Sequence, residues 1–281
     1  MGLFKRKERK KTPVLRLLIV TAVLLLLART ALNDELKIVS YTVSSPLVEG
    51  RHIYAVAADL HATYYGDDQR ELIEAIIESG AEAVLVPGDL LDDGSPEDGA
   101  HVFLAEIYEL GLPVYFVTGN HECSLMELDE MRAWCEEHAG VTLLSEKAVE
   151  LPGNIRLIGL DDPNYFKHTM TEAEGRKLLD SLDPSSETFD LLLAHRPEYA
   201  EAYAAAGFDL TLCGHAHGGQ LRIPLLLNGL FAPSEGWFPK YAGGRYDIDG
   251  RTVIVSRGLM RDDLPRVFNR PELVIVTVEG K

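Results

Sequence analysis

Two histidines, His215 and His217, stand one residue apart in the stretch LTLCGHAHGGQLRIP, directly after an apolar run that is typical of a buried strand. Extended backbone would send both rings to the same side. The glycines around them let the backbone pack close to whatever the rings hold. A polar turn is the alternative interpretation, and a metal site requires further ligands elsewhere in the chain.

Ligand-type side chains also follow four earlier apolar runs that are typical of strands. The stretches ADLHA, PGDLLDD, TGNHE and LAHRP contribute Asp59, His61, Asp89, Asp92, Asn120, His121 and His195. In open α/β sheets ligands bind beyond the carboxyl ends of the strands, so we expect these groups to meet at one place. Each stretch alone is compatible with a simple turn. Their joint occurrence, in order, favours a metal site.

The ligand types indicate which kind of metal site this is. Aspartate, asparagine and histidine without a thiolate suit Mn, Fe or Zn and do not distinguish among them. The candidate ligands are too many for one ion, but they fit two ions that share a bridging carboxylate. Such a pair generates a hydroxide at neutral pH that attacks phosphorus. The pattern therefore predicts a two-metal hydrolase of phosphoester bonds.

The ordered set DLH…GDLLDD…GNHE…H…GHAH resembles the calcineurin-like metallophosphoesterase family. The resemblance covers residues 59–217 by motif and, with the flanking strands, most of 36–281. It implies an α/β fold, a four-layer α-β-β-α sandwich of two mixed β-sheets flanked by helices (the metallo-dependent phosphatase fold). It assigns one metal to Asp59, His61, Asp89 and His217, and the other to Asp89 as the bridge, Asn120, His195 and His215. It also implies two catalytic residues, His121 facing the scissile phosphate and Asp92 orienting His121, although Asp92 also suits a simple turn.

Finer similarity points to a bacterial subgroup of membrane-anchored or exported phosphoesterases of the GHxHGGQ type. The stretches that carry it are GHAHGGQLRIP, YAGGRYDIDGRTVIVSRGL and PRVFNRPELVIVTV. Members of that subgroup are described as phosphodiesterases or as hydrolases of the pyrophosphate of UDP-2,3-diacylglucosamine. Ala216 departs from the usual GHTHGGQ but is not a ligand. Arg196 and Arg257 are candidates to bind substrate phosphate, with a surface role as the alternative for Arg196. Arg222 and Tyr241 are candidates comparable to Arg257.

The N-terminus differs in composition from the rest of the chain. KRKERKK precedes an apolar segment whose charge-free part, residues 17–28, is shorter than the roughly 20 residues that span a bilayer. It approaches that length if Arg16 and Arg29 snorkel. We expect residues 1–35 to be a basic N-terminus plus a transmembrane anchor, with a cleaved signal peptide or a peripheral helix as alternatives. The positive-inside rule then makes this a single-pass cell-membrane protein whose metallophosphoesterase domain, residues 36–281, is extracytoplasmic.

The charge balance limits the possible partners. Net charge is -17 although the first residues are strongly basic, so the remainder is more acidic still. An acidic body is a poor match for a phosphate backbone, which argues against nucleic acid as the main partner. Three cysteines without a CxxC predict neither a disulfide framework nor a zinc–thiolate site. The expected partners are a phosphoester or lipid-linked diphosphate substrate and the membrane, and the oligomeric state stays open.

Strand-like runs alternate with helical ones from residue 36 to 215, which predicts a layered α/β protein. After 215, short runs joined by glycine-rich turns favour antiparallel strands. Between them, LLLNGLFAPSEGWFPKYAGG (225–244) is interpreted as a lid, an acyl-chain groove or an ordinary loop packed on the core. A non-catalytic metal-binding scaffold of the same fold that binds protein partners is the alternative function. A purely structural metal site, with a closed ligand shell, is a third. The complete ligand set and the presence of His121 favour the enzyme.

Overall fold

The computed structural model describes residues 13–94, 96–166, 172–261 and 265–281, and the basic N-terminal cluster lies outside these ranges. The helices are α1 (Pro13–Ala31), α2 (Arg70–Ser79), α3 (Asp98–Glu109), α4 (Asn120–Leu125), α5 (Leu128–Glu137), α6 (Glu172–Ser181) and α7 (Ala200–Ala206). The strands are β1 (Lys37–Ser45), β2 (Arg51–Val56), β3 (Ala83–Pro87), β4 (Val114–Val117), β5 (Val141–Leu143), β6 (Ala148–Leu151), β7 (Ile155–Leu160), β8 (Phe189–Ala194), β9 (Leu210–Cys213), β10 (Phe231–Ala232), β11 (Gly236–Trp237), β12 (Gly244–Ile248), β13 (Arg251–Val255) and β14 (Glu272–Gly280).

The strands form two mixed sheets and one short hairpin. The order in the first six-stranded sheet is β1-β14-β2-β3-β4-β5, and in the second it is β12-β13-β9-β8-β7-β6. Strands β2 to β5 are parallel neighbours in the first sheet, as are β7, β8 and β9 in the second. The hairpin consists of β10 and β11. The predicted ligands therefore follow the carboxyl ends of central parallel strands in both sheets.

Alternating side chains divide the core into layers. In β3, Val84 belongs to a buried cluster with residues of α2 and α3, whereas Leu85 belongs to the cluster between the two sheets. In β8, Leu191 faces the first sheet and Leu192 packs with residues of α6 and α7. Because successive side chains of a strand point to opposite faces, strands covered on both faces are apolar throughout. The layers run helix, sheet, sheet, helix, which confirms the fold class that the resemblance implies.

The C-terminal strands do not follow the expected antiparallel pattern throughout. Strands β12 and β13 form an antiparallel hairpin, but β13 runs parallel to β9. Strand β14 crosses to the first sheet and lies between β1, to which it is parallel, and β2, to which it is antiparallel. The long connection between β13 and β14 allows this crossover, which a short turn would not.

Helix α1 is exposed along its whole length and is long and apolar enough to cross a membrane. A signal sequence has the same length and composition. Its C-terminal end is attached to the domain, because the Phe268 N–H donates to the Ala31 carbonyl (2.6 Å). The Arg270 guanidinium also donates to the carbonyls of Glu35 and Leu36. Helix α1 thus leaves the domain beside the segment that precedes β14.

We expect Leu85→Ala to lower the free energy of unfolding by about 2–5 kcal/mol, because it opens a cavity between the two sheets. Leu85 is fully buried. Ile77→Ala on the solvent side of α2, where Ile77 is 54% exposed, is the matched control and should cost less than about 1 kcal/mol. Urea denaturation of the detergent-solubilised chain, followed by tryptophan fluorescence, measures both. A loss at Leu85 no larger than at Ile77 would contradict the packing of the two sheets.

Candidate metal centre

The predicted ligands lie where the carboxyl ends of the two sheets meet. His195, which follows β8 in the second sheet, contacts the carbonyl oxygen of Pro87 at the end of β3 in the first sheet (Nδ1 to O, 2.8 Å). This hydrogen bond, which links the two sheets, is therefore part of the site. The residues around it are nearly inaccessible to solvent: Asp59, His61, Asp89, His195 and His215 are each at most 4% exposed.

Left-handed backbone turns aim most of these side chains. Positive φ angles between 45° and 66° occur at Asp59, His61, Asp89, His215 and His217. Non-glycine residues rarely adopt this region and do so at an energetic cost, which is typical of functional sites. The expectation that extended backbone sends His215 and His217 to the same side is wrong. Strand β9 ends at Cys213, and the two rings join different groups of ligands.

The first group of ligand atoms comes from Asp59, His61, Asp89 and His217. One nitrogen or oxygen from each residue lies within 4.8 Å of the others. Within the group, His61 Nε2 is 3.6 Å from Asp89 Oδ2. Two carboxylates and two imidazoles at this spacing surround a volume suited to one divalent ion.

The second group shares Asp89 with the first and adds His195, His215 and Asn120. His195 Nε2 lies 3.1 Å from each of three atoms: Asp89 Oδ2, Asn120 Oδ1 and His215 Nδ1. A carbonyl oxygen only accepts hydrogen bonds, so the contact with Pro87 makes Nδ1 the donor of a neutral His195 and leaves a lone pair on Nε2. Lone pairs of oxygen and nitrogen thus converge where a cation would sit.

Each of the two aspartates, Asp59 and Asp89, has only one carboxylate oxygen that accepts a hydrogen bond from the residues that the structure describes. Asp59 Oδ1 accepts from the His215 N–H (2.8 Å), and Asp89 Oδ1 accepts from the His121 N–H (3.0 Å). The other oxygens, Oδ2 in both, are buried and accept no hydrogen bond from the described part of the chain. A buried carboxylate oxygen without a partner is costly, and metal ions commonly satisfy it. The residues present therefore fit a metal centre.

The histidines of the first group also have buried ring nitrogens without a hydrogen bond among the residues that the structure describes. His61 Nδ1 is 3.3 Å from Asp92 Oδ1, while His61 Nε2 is buried without a hydrogen bond from any described residue. His217 Nδ1 is likewise buried and unpaired in the described structure. A carboxylate or carbonyl behind one ring nitrogen is the usual way to fix the tautomer of a metal-binding histidine.

Charge coupling across the centre is strong. Burial raises the pKa of Asp59 to about 6, against the attraction of His195. Burial would also raise the pKa of Asp89, but His195 and its neighbours outweigh burial and hold it well below its usual range. Burial lowers the pKa of His195, yet Asp89 and Asp59 overcome this and raise it to about 10. Burial, reinforced by His195, lowers the pKa of His215 to about 2. Two buried carboxylates this close together require positive charge beside them. Either a proton on His195 or a bound cation provides it.

His121 lies at the outer side of the centre, with 25% of its side chain exposed. Its ring meets the edge of the His61 ring at a centroid distance of 4.4 Å. Nδ1 of His121 is 3.2 Å from Asp92 Oδ1 and 3.1 Å from Asp93 Oδ1. Asp92 Oδ1 thus lies close to a ring nitrogen of both His61 and His121, although His121 Nδ1 makes no hydrogen bond within the described structure.

Arg196 is not on the surface, as its alternative interpretation expected, but 7% exposed. Its Nε donates to Asp162 Oδ2 (2.6 Å) and its Nη1 to Ser234 Oγ (2.7 Å). Ser234 Oγ is in turn 3.3 Å from His215 Nε2. The buried carboxylate of Asp162 draws the guanidinium inward, so Arg196 reaches the metal centre through Ser234.

The other residues that the sequence suggested for substrate binding form an ion pair or hydrogen bonds with nearby groups. Arg257 Nε lies 3.3 Å from Oε2 of the buried Glu272. Arg222 donates to the Gly218 carbonyl (3.2 Å), and the Tyr241 hydroxyl donates to Glu201 Oε1 (3.2 Å). These contacts favour structural roles for all three side chains.

Sequence reasoning missed Glu122, the last residue of GNHE. Glu122 is fully buried, and its carboxylate accepts from the backbone N–H groups of Asp89 (3.0 Å), Leu91 (2.9 Å) and Gly119 (2.7 Å). Burial raises its pKa to about 7, and the nearby Asp89 adds to the effect. One side chain thus joins the loops that follow β3 and β4. The sequence did contain a signal for Glu122, because this acid directly follows the candidate site residues Asn120 and His121 after a strand.

Glycines leave room for the ligands at three of the strand ends. A Cβ atom at Gly119 would lie 2.2 Å from Asp89 Oδ1, and one at Gly214 would lie 2.7 Å from Asp59 Oδ2. A Cβ at Gly88 would lie 2.5 Å from His195 Nδ1. Any side chain at these positions would displace a ligand.

We expect Glu122→Gln to destabilise the chain by about 2–4 kcal/mol, because an amide nitrogen then faces backbone N–H donors. The loop after β3 should also loosen and weaken metal binding. Thermal unfolding and metal content of the purified full chain measure the two effects. Glu78→Gln on the exposed side of α2 is the matched control. Equal stability of the two variants would exclude a joining role for Glu122.

Comparison with known proteins agrees with the geometry. A profile of the calcineurin-like phosphoesterase family matches residues 54–219. An uncharacterised metallophosphoesterase of Aquifex aeolicus is 29% identical over 261 residues, which are 88% of this chain and 93% of that protein. A phosphodiesterase of Escherichia coli is 38% identical over 86 residues, 31% of each chain. The crystal structure of a dimetal phosphatase from Danio rerio aligns with a TM-score of 0.49 and 13% identity, covering 75% of this chain and 88% of that one.

The family match spans more than half of the chain and includes both groups of ligands. This chain belongs to the calcineurin-like phosphoesterase family, and it is a metal-dependent phosphoester hydrolase.

Proposed function

We propose that the chain holds two metal ions bridged by Asp89 and hydrolyses a phosphodiester or a pyrophosphate. The observation that carries the proposal is Asp89 Oδ2, a buried oxygen without a hydrogen bond from the described residues. It lies 3.6 Å from His61 Nε2 of one group and 3.1 Å from His195 Nε2 of the other. Asp59, His61 and His217 would complete one site. Asn120, His195 and His215 would complete the other. Mn, Fe and Zn all suit these ligands.

Bound divalent ions would supply Lewis-acid activation of water and neutralise charge on the phosphate oxygens. The protein keeps the ligand geometry fixed before substrate arrives. Asp59 and Asp89 are each fixed through one oxygen by a backbone N–H, so their other oxygens need no rearrangement. Pro87 fixes the ring of His195, and Asp92 that of His61. Such preorganisation removes the cost of reorienting ligands during the reaction.

His121 is proposed to contact the phosphate and to donate a proton from Nε2 to the leaving oxygen. Asp92 and Asp93 lie beside its Nδ1 and orient the ring, and His121 is the partly exposed histidine next to the buried centre. Asp92 acts as a positioning residue for both His121 and His61. Arg196 and Arg257 are proposed to support the site rather than to bind phosphate, because both are engaged by carboxylates.

The choice of a diester bond is supported by the phosphodiesterase of Escherichia coli, which matches part of this chain. Helix α1 supports a location at the membrane, with the domain on the extracytoplasmic side by the positive-inside rule. An anchored enzyme meets substrates of the membrane surface at high effective concentration.

We expect His121→Ala to lower kcat on bis-p-nitrophenyl phosphate by about 10²–10⁴, the usual contribution of a positioned acid. Metal content should not change, because His121 is not a proposed ligand. The full chain in detergent, loaded with Mn, is assayed against this diester, p-nitrophenyl phosphate and a UDP-sugar pyrophosphate. His101→Ala in α3, outside the centre, is the matched control. Loss of metal in His121→Ala, or unchanged turnover, would refute the role given to His121.

A further inference from the structure

One stretch of the domain exposes large apolar side chains to solvent. They lie in residues 221–238, on the turn that follows Arg222 and on the hairpin of β10 and β11. Leu225 is fully exposed, Leu226 is 84% exposed and Trp237 is 68% exposed. The apolar rim, as we call this surface, comprises Ile223, Leu225, Leu226, Phe231, Trp237 and Phe238. Exposed apolar clusters of this kind mark surfaces that contact a partner or a membrane.

The apolar rim is fixed beside the end of helix α1. The Arg222 N–H donates to the Val267 carbonyl (2.9 Å), and the next residue, Phe268, donates its N–H to the Ala31 carbonyl (2.6 Å). Leu225 is three residues from Arg222, so it lies within about 10 Å of that connection. The turn that carries Leu225 and Leu226 therefore lies near the C-terminal end of the exposed apolar helix.

The apolar rim also borders the metal centre. Ser234, in the turn between β10 and β11, lies 3.3 Å from Nε2 of His215. On the other side, Asn269 Nδ2 donates to the carbonyls of His217 (2.7 Å) and Gln220 (3.2 Å). The segment that holds α1 thus also supports the backbone of a proposed metal ligand. A phosphate group at the depth of the lipid headgroups would lie near the centre.

We propose that the apolar rim enters the bilayer beside α1 and holds the metal centre against the headgroup layer. The adjacent helix identifies the occupant as the bilayer, since α1 is exposed from residue 14 to residue 30 and is apolar enough to cross a membrane. The substrate class is then a phosphodiester or diphosphate whose lipid part stays in the membrane. This substrate assignment rests on the proposed function, whereas the contact of the rim with lipid is measured independently of it.

Trp237 reports the contact directly. The chain has two tryptophans, and Trp134 lies in α5, stacked on His138. Trp134→Phe leaves Trp237 as the only tryptophan of the full chain. Reconstituted into vesicles of phosphatidylcholine brominated midway along the acyl chain, this variant should lose most of the fluorescence that it shows in ordinary phosphatidylcholine.

The control is Trp237→Phe, in which Trp134 should be quenched little. Equal, weak quenching of the two tryptophans would overturn the proposal. The apolar rim would then be a surface that binds a protein partner. Extraction of the vesicles with carbonate checks separately that α1 keeps the chain in the membrane.

Turnover tests the substrate class. We expect Leu225→Glu/Leu226→Glu to lower hydrolysis of phosphatidyl-p-nitrophenol in vesicles by at least about tenfold, since charged side chains no longer enter the bilayer. Hydrolysis of soluble bis-p-nitrophenyl phosphate should not change. Ile77→Glu on α2 is the matched control and should change neither rate. Equal loss on both substrates, or no loss on the lipid, would overturn the assignment. Failure of the unaltered chain on both substrates would refute the proposed function, while quenching of Trp237 would still establish the membrane contact.

Discussion

The carboxylate of Asp89 is the constraint on which the rest of the structure depends. It is buried where the two sheets meet, with one oxygen fixed by the His121 N–H and the other close to His61 of one group and His195 of the other. Burying a carboxylate in this way is unfavourable unless positive charge compensates it. Either a proton on His195 or a bound cation provides that charge. The layered fold brings strand ends from two sheets together around this one residue.

The loops around Asp89 are correspondingly rigid. Glu122 fixes the backbone of the loops after β3 and β4, and Gly119 leaves the space that Asp89 occupies. The left-handed φ at Asp89 is maintained by these contacts rather than by any local preference. The strained and buried residues of the centre are thus stabilised by the two sheets, which pack on each other through a cluster of buried apolar side chains.

The sequence predicted the layered fold and the candidate ligands that the structure brings together, because both show as local patterns in the chain. Apolar runs reveal strands buried on both faces, and polar residues at their ends reveal an edge where ligands collect. What the sequence could not provide was the long-range geometry. The resemblance assigned His215 and His217 to different metals, but the left-handed backbone that aims their rings was not predicted. The inward position of Arg196 depends on Asp162, a partner 34 residues away. The insertion of β14 between β1 and β2 depends on pairing between strands far apart in the chain, which periodicity does not encode.

The central claim is that Asp89 bridges two metal ions, and electron paramagnetic resonance of the Mn-loaded full chain tests it most directly. Two Mn(II) ions sharing a carboxylate, roughly 3.5–4 Å apart, are spin-coupled. We therefore expect two Mn per chain and a coupled spectrum that Asp89→Asn converts to that of isolated Mn(II). One Mn per chain, or two that give the isolated spectrum in the unaltered protein, would contradict the shared carboxylate.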